Sequence, residues 1–235
     1  NGMNPTGDHS FMFWIQNNKP SCQGQGQILS DYMQSPSAYN HLNLFYGGCS
    51  SNWYSNNCIS GNCLAYEFYT NTLVSTATSI DQHSWAHLVV TYNATSLERK
   101  IYRNGVLVVQ DYAASAYTGN LRLILGIEHN STNAFVSGSE LSAKLDNFSV
   151  WSKALSLTEV QDYYNESPIG IENNLEIYYD FEQGSGVILN DVTNNGNNAA
   201  IFGGALFSND VPYSNLTNTN GCDSTAILNL TINQG

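Results

Sequence analysis

The apolar positions of this chain recur mostly with period two, or in short unbroken runs bounded by turn formers. Residues 10–16 (SFMFWIQ) are apolar almost throughout, the pattern of a strand buried on both faces. Further strands are predicted at 28–33, 41–46 and 64–69. The last two are separated by a long Cys/Asn/Ser-rich loop, GGCSSNWYSNNCISGNC. The clearest signal follows. Residues 85–92 (WAHLVVTY) form a strand and 99–102 begin another. Asn104-Gly105 supplies the left-handed residues of a tight hairpin turn, and 106–111 return. Residues 121–126, 144–151 and 175–182 (LEIYYDFE) complete the main series, with one more short apolar strand in AAIFGGALF. A single helix interrupts the pattern. Ser156-Leu-Thr-Glu159 is a capping box, Leu157, Val160 and Tyr164 share the face that follows, and Pro168 and Gly170 close the segment. Many short strands with one short helix predict an all-β, two-sheet antiparallel sandwich.

Residues 213–235 change character, becoming Thr/Asn-rich before an alternating strand at 226–232. They read as a linker and a strand of an adjoining module, which leaves 1–212 as the main domain. The chain begins at Asn1 with no apolar leader, as a processed form or a piece of something longer does.

Charge narrows the possible partners. Of 235 residues, 7 are Lys or Arg and 19 are Asp or Glu, for a net charge of -12. Such a chain releases few counterions from nucleic acid and is repelled by anionic lipid. No apolar run approaches the roughly 18–20 residues of a membrane span. Only 11% of residues are charged while 12% are aromatic, and turn-forming Asn, Gly, Ser and Thr are plentiful, which suits a secreted or cell-surface β protein. Cys22, Cys49, Cys58 and Cys63 fall in one early stretch, and Cys222 stands alone. Zinc is the rival reading for the four, but no C-x2-C pair exists. Two disulfides formed in an oxidising compartment are expected, with all three connectivities open.

In their order along the chain, DHSFMFWIQ, HSWAHLVVTYN followed by IYRNGVLV, KLDNFSVWSKALSLTEV and LEIYYDFEQGSG resemble the laminin-G-like, concanavalin A-type jelly rolls of secreted Bacteroidota surface proteins. The resemblance covers most of 8–212. It implies a jelly roll whose usual opening strand is absent from 1–212. Strand 226–232 filling that place in a neighbouring molecule would give head-to-tail self-assembly. The resemblance further implies a structural Ca2+ at the rim, on Asp146 at the start of the late strand, with Asp8 as a second contributor. Asp223-Ser224-Thr225 resembles the short O-glycosylation signal of the same bacteria, on Ser224. Six N-x-S/T sequons, at Asn93, Asn130, Asn147, Asn165, Asn215 and Asn229, match the number that chance gives in so Asn-rich a chain.

Glu176, Asp180 and Glu182 are expected on one face of a strand, as in laminarinase-type endoglucanases of this fold. Their E-x-x-x-D-x-E spacing breaks the E-x-D-x-x-E pattern of that chemistry. No nucleophile elbow, HExxH motif or phosphate loop is present. The five histidines (His9, His41, His83, His87 and His129) lack metal-ligand spacing, and His87 is expected to pack in the core. A non-catalytic carbohydrate- or surface-ligand-binding module of a larger adhesin-like protein is therefore expected. Its ligand contacts are placed on Trp53, Tyr54, Asn52 and Asn56, because a Trp among amides in a polar loop suits sugar stacking. Trp14, Trp85 and Trp151 sit in apolar strands and are expected in the core.

Overall fold

A computed structural model describes residues 6–18, 25–31, 39–47, 63–69, 71–75, 83–119, 123–129, 134–212 and 227–230. The strands are β1 His9–Asn17, β2 Gln25–Asp31, β3 Leu42–Gly47, β4 Cys63–Phe68, β5 Thr72–Val74, β6 Trp85–Asn93, β7 Glu98–Arg103, β8 Val106–Tyr112, β9 Leu123–Leu125 and β10 Ala143–Trp151. After helix α1, Leu157–Asn165, come β11 Leu175–Tyr179, β12 Ile188–Leu189, β13 Ala199–Ala200, β14 Leu206–Ser208 and β15 Ile227–Leu230.

β1 is buried at every position, because β6 and β10 flank it and both of its faces are covered. Phe11, Phe13 and Ile15 enter the main core, while Met12 on the opposite face joins Val89, Tyr102, Trp151, Leu155, Val160, Leu175 and Tyr178. Strand alternation thus feeds two apolar layers from one segment. The first sheet runs β14-β15-β10-β1-β6-β7-β8, with β11 also on β10; the second runs β5-β4-β3-β2-β9. Between them lies the jelly-roll core, with Leu42, Leu44, Tyr66 and Phe68 facing Phe11, Val90 and Ile101. This is the two-sheet antiparallel sandwich that the period-two pattern predicts.

Local signals form the expected elements. Asn104 and Gly105 both take left-handed φ (49° and 75°) and turn β7 into β8. The Asn104 Oδ1 also accepts the His87 N–H at 2.9 Å, tying the turn to β6. In α1, Ser156 accepts from the Glu159 N–H while the Glu159 carboxylate accepts from the Ser156 N–H, a complete capping box. Val160 is the buried residue of the helix. Tyr163 and Tyr164 reach over the first sheet, onto Trp151 and Trp14.

Two expectations fail for local reasons. The strand read over 175–182 ends at Tyr179, because Phe181 takes φ 58° and turns the chain. The strand read in AAIFGGALF is two short strands, β13 and β14, parted by Gly203 and Gly204 at φ 73° and 82°.

The second side of β10 is paired from within the chain at most of its positions. β1 runs along one side of β10, and on the other side β11 covers only Phe148–Trp151. The remaining stretch pairs with β15 as Ala143↔Leu230, Lys144↔Asn229 and Leu145↔Leu228. β15 in turn pairs with β14 through Leu206↔Asn229, Phe207↔Leu228 and Ser208↔Ile227. Residues 227–230, which the sequence assigns to an adjoining module, here sit in the sheet of this domain.

Candidate functional site

The outward faces of the two sheets differ in chemistry. That of the first sheet is sealed by α1 and the apolar cluster around Trp151. On the second sheet Leu42, Leu44, Leu64, Tyr66 and Phe68 point inward, so the alternate residues His41, Asn43, Phe45, Ala65 and Glu67 point outward. A bulge between Gln27 and Leu29 brings Ile28 and Leu29 both into the core and leaves Gln27 on the outer side. Gln27 Nε2 donates to Asn43 Oδ1 at 2.9 Å, and Asn43 pairs directly with Glu67 across β3 and β4. Gln27, Asn43 and Glu67 thus form a polar row across three strands, beside a small apolar patch of Phe45, Cys63, Ala65 and Val74.

The row continues toward the β2–β3 stem. Asn43 Nδ2 donates to His41 Nδ1 at 3.2 Å, which leaves the proton of a neutral imidazole on Nε2. That Nε2 lies 3.2 Å from Asp31 Oδ1, and the Tyr117 hydroxyl donates to the other Asp31 oxygen. Burial pushes the Asp31 carboxyl up to about 7 and the His41 imidazole down to about 4, favouring the neutral form of each. At the β9 side, burial and then the like charge of Glu67 raise the Glu128 carboxyl. Gln27 is 0% exposed, Asp31 and His41 1%, Asn43 6% and Glu67 9%, so these amides, carboxyls and imidazole are fixed beneath the surface by contacts with one another.

The sequence-predicted residues separate into groups. Trp53, Tyr54, Asn52 and Asn56 lie outside the described residues, as do Cys22, Cys49, Cys58, Cys222 and Ser224. Cys63 is buried at the start of β4. Trp14 and Trp151 are core residues, whereas Trp85 is half-buried at the start of β6, where the strand enters from the surface. His87 is 1% exposed against Trp14 and Tyr164, and burial pulls its imidazole down to about 3, as a core histidine requires.

Asp8 and Asp146 are not brought together. Asp8 Oδ1 accepts the Ala94 N–H at 2.8 Å and caps the turn after β6. Asp146 pairs with Trp14, six residues further along β1, or roughly 20 Å away at strand rise. Asp146 is buried, its Oδ1 accepts the Asn147 N–H at 2.8 Å, and burial followed by the charges of Glu182 and Asp180 raises its carboxyl. The charges of Asp180 and Glu182 thus reach the buried Asp146. Among the described residues, however, no three His, Cys, Asp or Glu side chains are arranged to hold a metal, so an ion there would rest on Asp146 and backbone carbonyls. Glu176 does not share a face with Asp180 and Glu182, since the chain leaves the strand before them.

Sequence reasoning missed the row of Gln27, Asn43 and Glu67. The available signal was a polar residue between apolar ones, as in LNL and YEF, which marks a two-faced strand without saying which sheet face it serves.

A protein of Bacteroides ovatus assigned as carbohydrate-binding shares the fold, with TM-score 0.63 and 15% identity over 85% of this chain and 54% of its own length. The chain thus spans about half of that relative. The sialidase CBM40 of Ruminococcus gnavus bound to sialyllactose (TM-score 0.45, 13% identity, 67% of this chain, 83% of its own) is a more distant likeness. So is a pentraxin of Limulus polyphemus (0.45, 16%, 69% and 77%). No curated protein matches the chain. The family model of the Concanavalin A-like lectin/glucanases superfamily, of the third laminin-G type, matches residues 1–161, and the chain belongs to that family.

Proposed function

We propose that the chain is a non-catalytic carbohydrate-binding module of a larger secreted or cell-surface protein, and that its ligand is read on the outer face of the five-stranded sheet. The observation that carries this reading is the hydrogen-bonded row from Gln27 through Asn43 to His41, with Asp31 3.2 Å from the imidazole and Glu67 alongside. It crosses the side of the sheet away from the core and is itself buried, so it would act by holding the ligand-contacting surface above it in place. Fold supports a carbohydrate ligand by kinship alone, since sandwiches of this family host several activities. Recognition would be an equilibrium on a rigid scaffold, with Trp53 and Tyr54 as stacking partners of the ring and Asn52 and Asn56 as amide contacts. Extracellular placement would also allow disulfides among Cys22, Cys49, Cys58 and Cys63, and a glycan on Ser224.

A glycan array with the full chain tests the reading. Asn43→Ala removes one buried amide, and an affinity loss of about tenfold is expected. Trp53→Ala should lose at least as much. Unchanged binding in Asn43→Ala would remove the row from the site, and an array with no bound glycan would sink the reading itself.

Calcium belongs to the same proposal. Asp146 would hold the ion, which would supply a fixed positive charge among three carboxyl groups. Adding a chelator is expected to lower the thermal midpoint by about 5–10 °C, the shift for loss of a ligand at about a hundred times its Kd. An unchanged midpoint would exclude a structural calcium.

A further inference from the structure

β10 and β14 run parallel to each other, two interstrand spacings apart, with β15 antiparallel to both. The two flanks cannot pair directly across a gap of roughly 10 Å, and without an insert each would present unpaired N–H and C=O groups. The flanks are also held independently of the insert. Phe207 of β14 packs on the main core, and Lys144 of β10 forms an ion pair with Asp210 just beyond β14. The insert itself is short, with three register pairs on each side. Such an element opens locally at far less cost than global unfolding. Its connection is unusual too. Ser208 pairs with Ile227, so residues 209–226 close what would otherwise be a hairpin, whose loops ordinarily have 2–5 residues. Eighteen residues span at most ~60 Å, enough to reach a neighbouring domain.

We propose that the gap between β10 and β14 is a strand-exchange site whose second occupant is Ile227–Leu230 of another copy of this chain. Pairing within a chain and pairing between copies make the same backbone contacts, so the balance is set by concentration alone. A connector of this length holds its own strand at an effective concentration of order 1 mM. The chain therefore fills its own gap when dilute, and exchanges strands when copies are packed together at comparable density. Reciprocal exchange closes a two-fold pair, because each copy both gives and receives one strand.

Photo-crosslinking of the full chain decides the matter. A benzophenone amino acid replaces Asn229, the register partner of Lys144, in an equal mixture of isotope-labelled and unlabelled copies. Products joining the two isotopes at β10, half of all those between copies, should rise from about half a per cent at ~10 µM to about a quarter near ~1 mM. Cross-links confined to single chains across that range would overturn the proposal. Independently, Leu228→Pro in the full chain removes a ladder N–H and should vacate the gap. A labelled peptide of residues 225–232 is then expected to bind this variant at least tenfold tighter than the unmodified chain. A peptide that binds both equally, or neither, would overturn it as well. Should Leu228→Pro fail to fold, the cross-linking result stands alone.

Discussion

Replacing Arg99 with methionine is expected to lower the unfolding free energy by about 2–3 kcal/mol, the cost of leaving buried hydrogen-bond partners without a donor. Arg99 is fully buried on β7. Its Nε and Nη2 donate to the two Asp111 oxygens at 2.9 and 2.6 Å, a bidentate pair. Its Nη1 donates to the Asn71 carbonyl at 2.8 Å and the Tyr66 carbonyl at 3.4 Å, and the guanidinium lies 5.1 Å from the Phe68 ring centre. One side chain thus joins β7 and β8 of the first sheet to β4 and the turn before β5 in the second. Methionine fills the space but leaves the buried Tyr66 carbonyl and the part-buried Asn71 carbonyl without their donor, while the Asp111 carboxylate, 34% exposed, can turn to water. Arg99→Lys should fall between, because an ammonium keeps the charge and loses the fork. Urea unfolding at pH 7 measures all three proteins. A loss below about 1 kcal/mol for Arg99→Met would show that this residue is not the link between the sheets.

The second large effect is a dependence on pH that appears only when one partner is removed. Asp31 has a folded value of about 7 against an unfolded 3.8, so across that interval the folded chain binds more protons and stability falls as pH rises. His41 has a folded value of about 4 against 6.5, so the unfolded chain binds more protons and stability rises with pH. The two slopes oppose each other between pH 4 and 6.5, and the intact pair contributes almost no pH dependence there. In Asp31→Asn only the His41 slope remains. That variant should lose about 3 kcal/mol on going from pH 6.5 to pH 4, at about 1.4 kcal/mol per pH unit. In His41→Leu the sign reverses, and stability declines from pH 4 toward 7. Unfolding free energies at half-unit pH steps test this. Parallel profiles for the parent and Asp31→Asn would mean that the imidazole and carboxyl titrate normally in the folded chain.

Legibility in the sequence followed the range of the interaction. The β7–β8 hairpin and the start of α1 were readable because Asn104-Gly105 and Ser156…Glu159 act within four residues of themselves. The core strands were readable because burial on two faces demands an unbroken apolar run, as Phe11–Ile15 supply in β1. Arg99 was not readable. Within Glu98-Arg99-Lys100 it looks like one of three solvated charges, and only Asp111, Tyr66 and Asn71 make it a core residue. The polar row was half readable: Asn43 and Glu67 break apolar alternation in plain view, but Gln27 joins them only through a bulge at Ile28. The carboxylates expected on one strand face failed because a single left-handed residue, Phe181, ends the alternation on which that expectation stood.

By itself, then, the sequence determined a two-sheet antiparallel sandwich, its hairpin, its capped helix and two of its core tryptophans. All of these rest on periodicity and short-range hydrogen bonding. Only the tertiary structure decided which outward face α1 covers and which carries a polar row, that Asp8 before β1 and Asp146 on β10 stand far apart, and that Ile227–Leu230 lies between β10 and β14. Those outcomes depend on pairings between residues far apart in the chain. A period-two pattern says that a strand has two faces; the strands packed around it settle what each face meets.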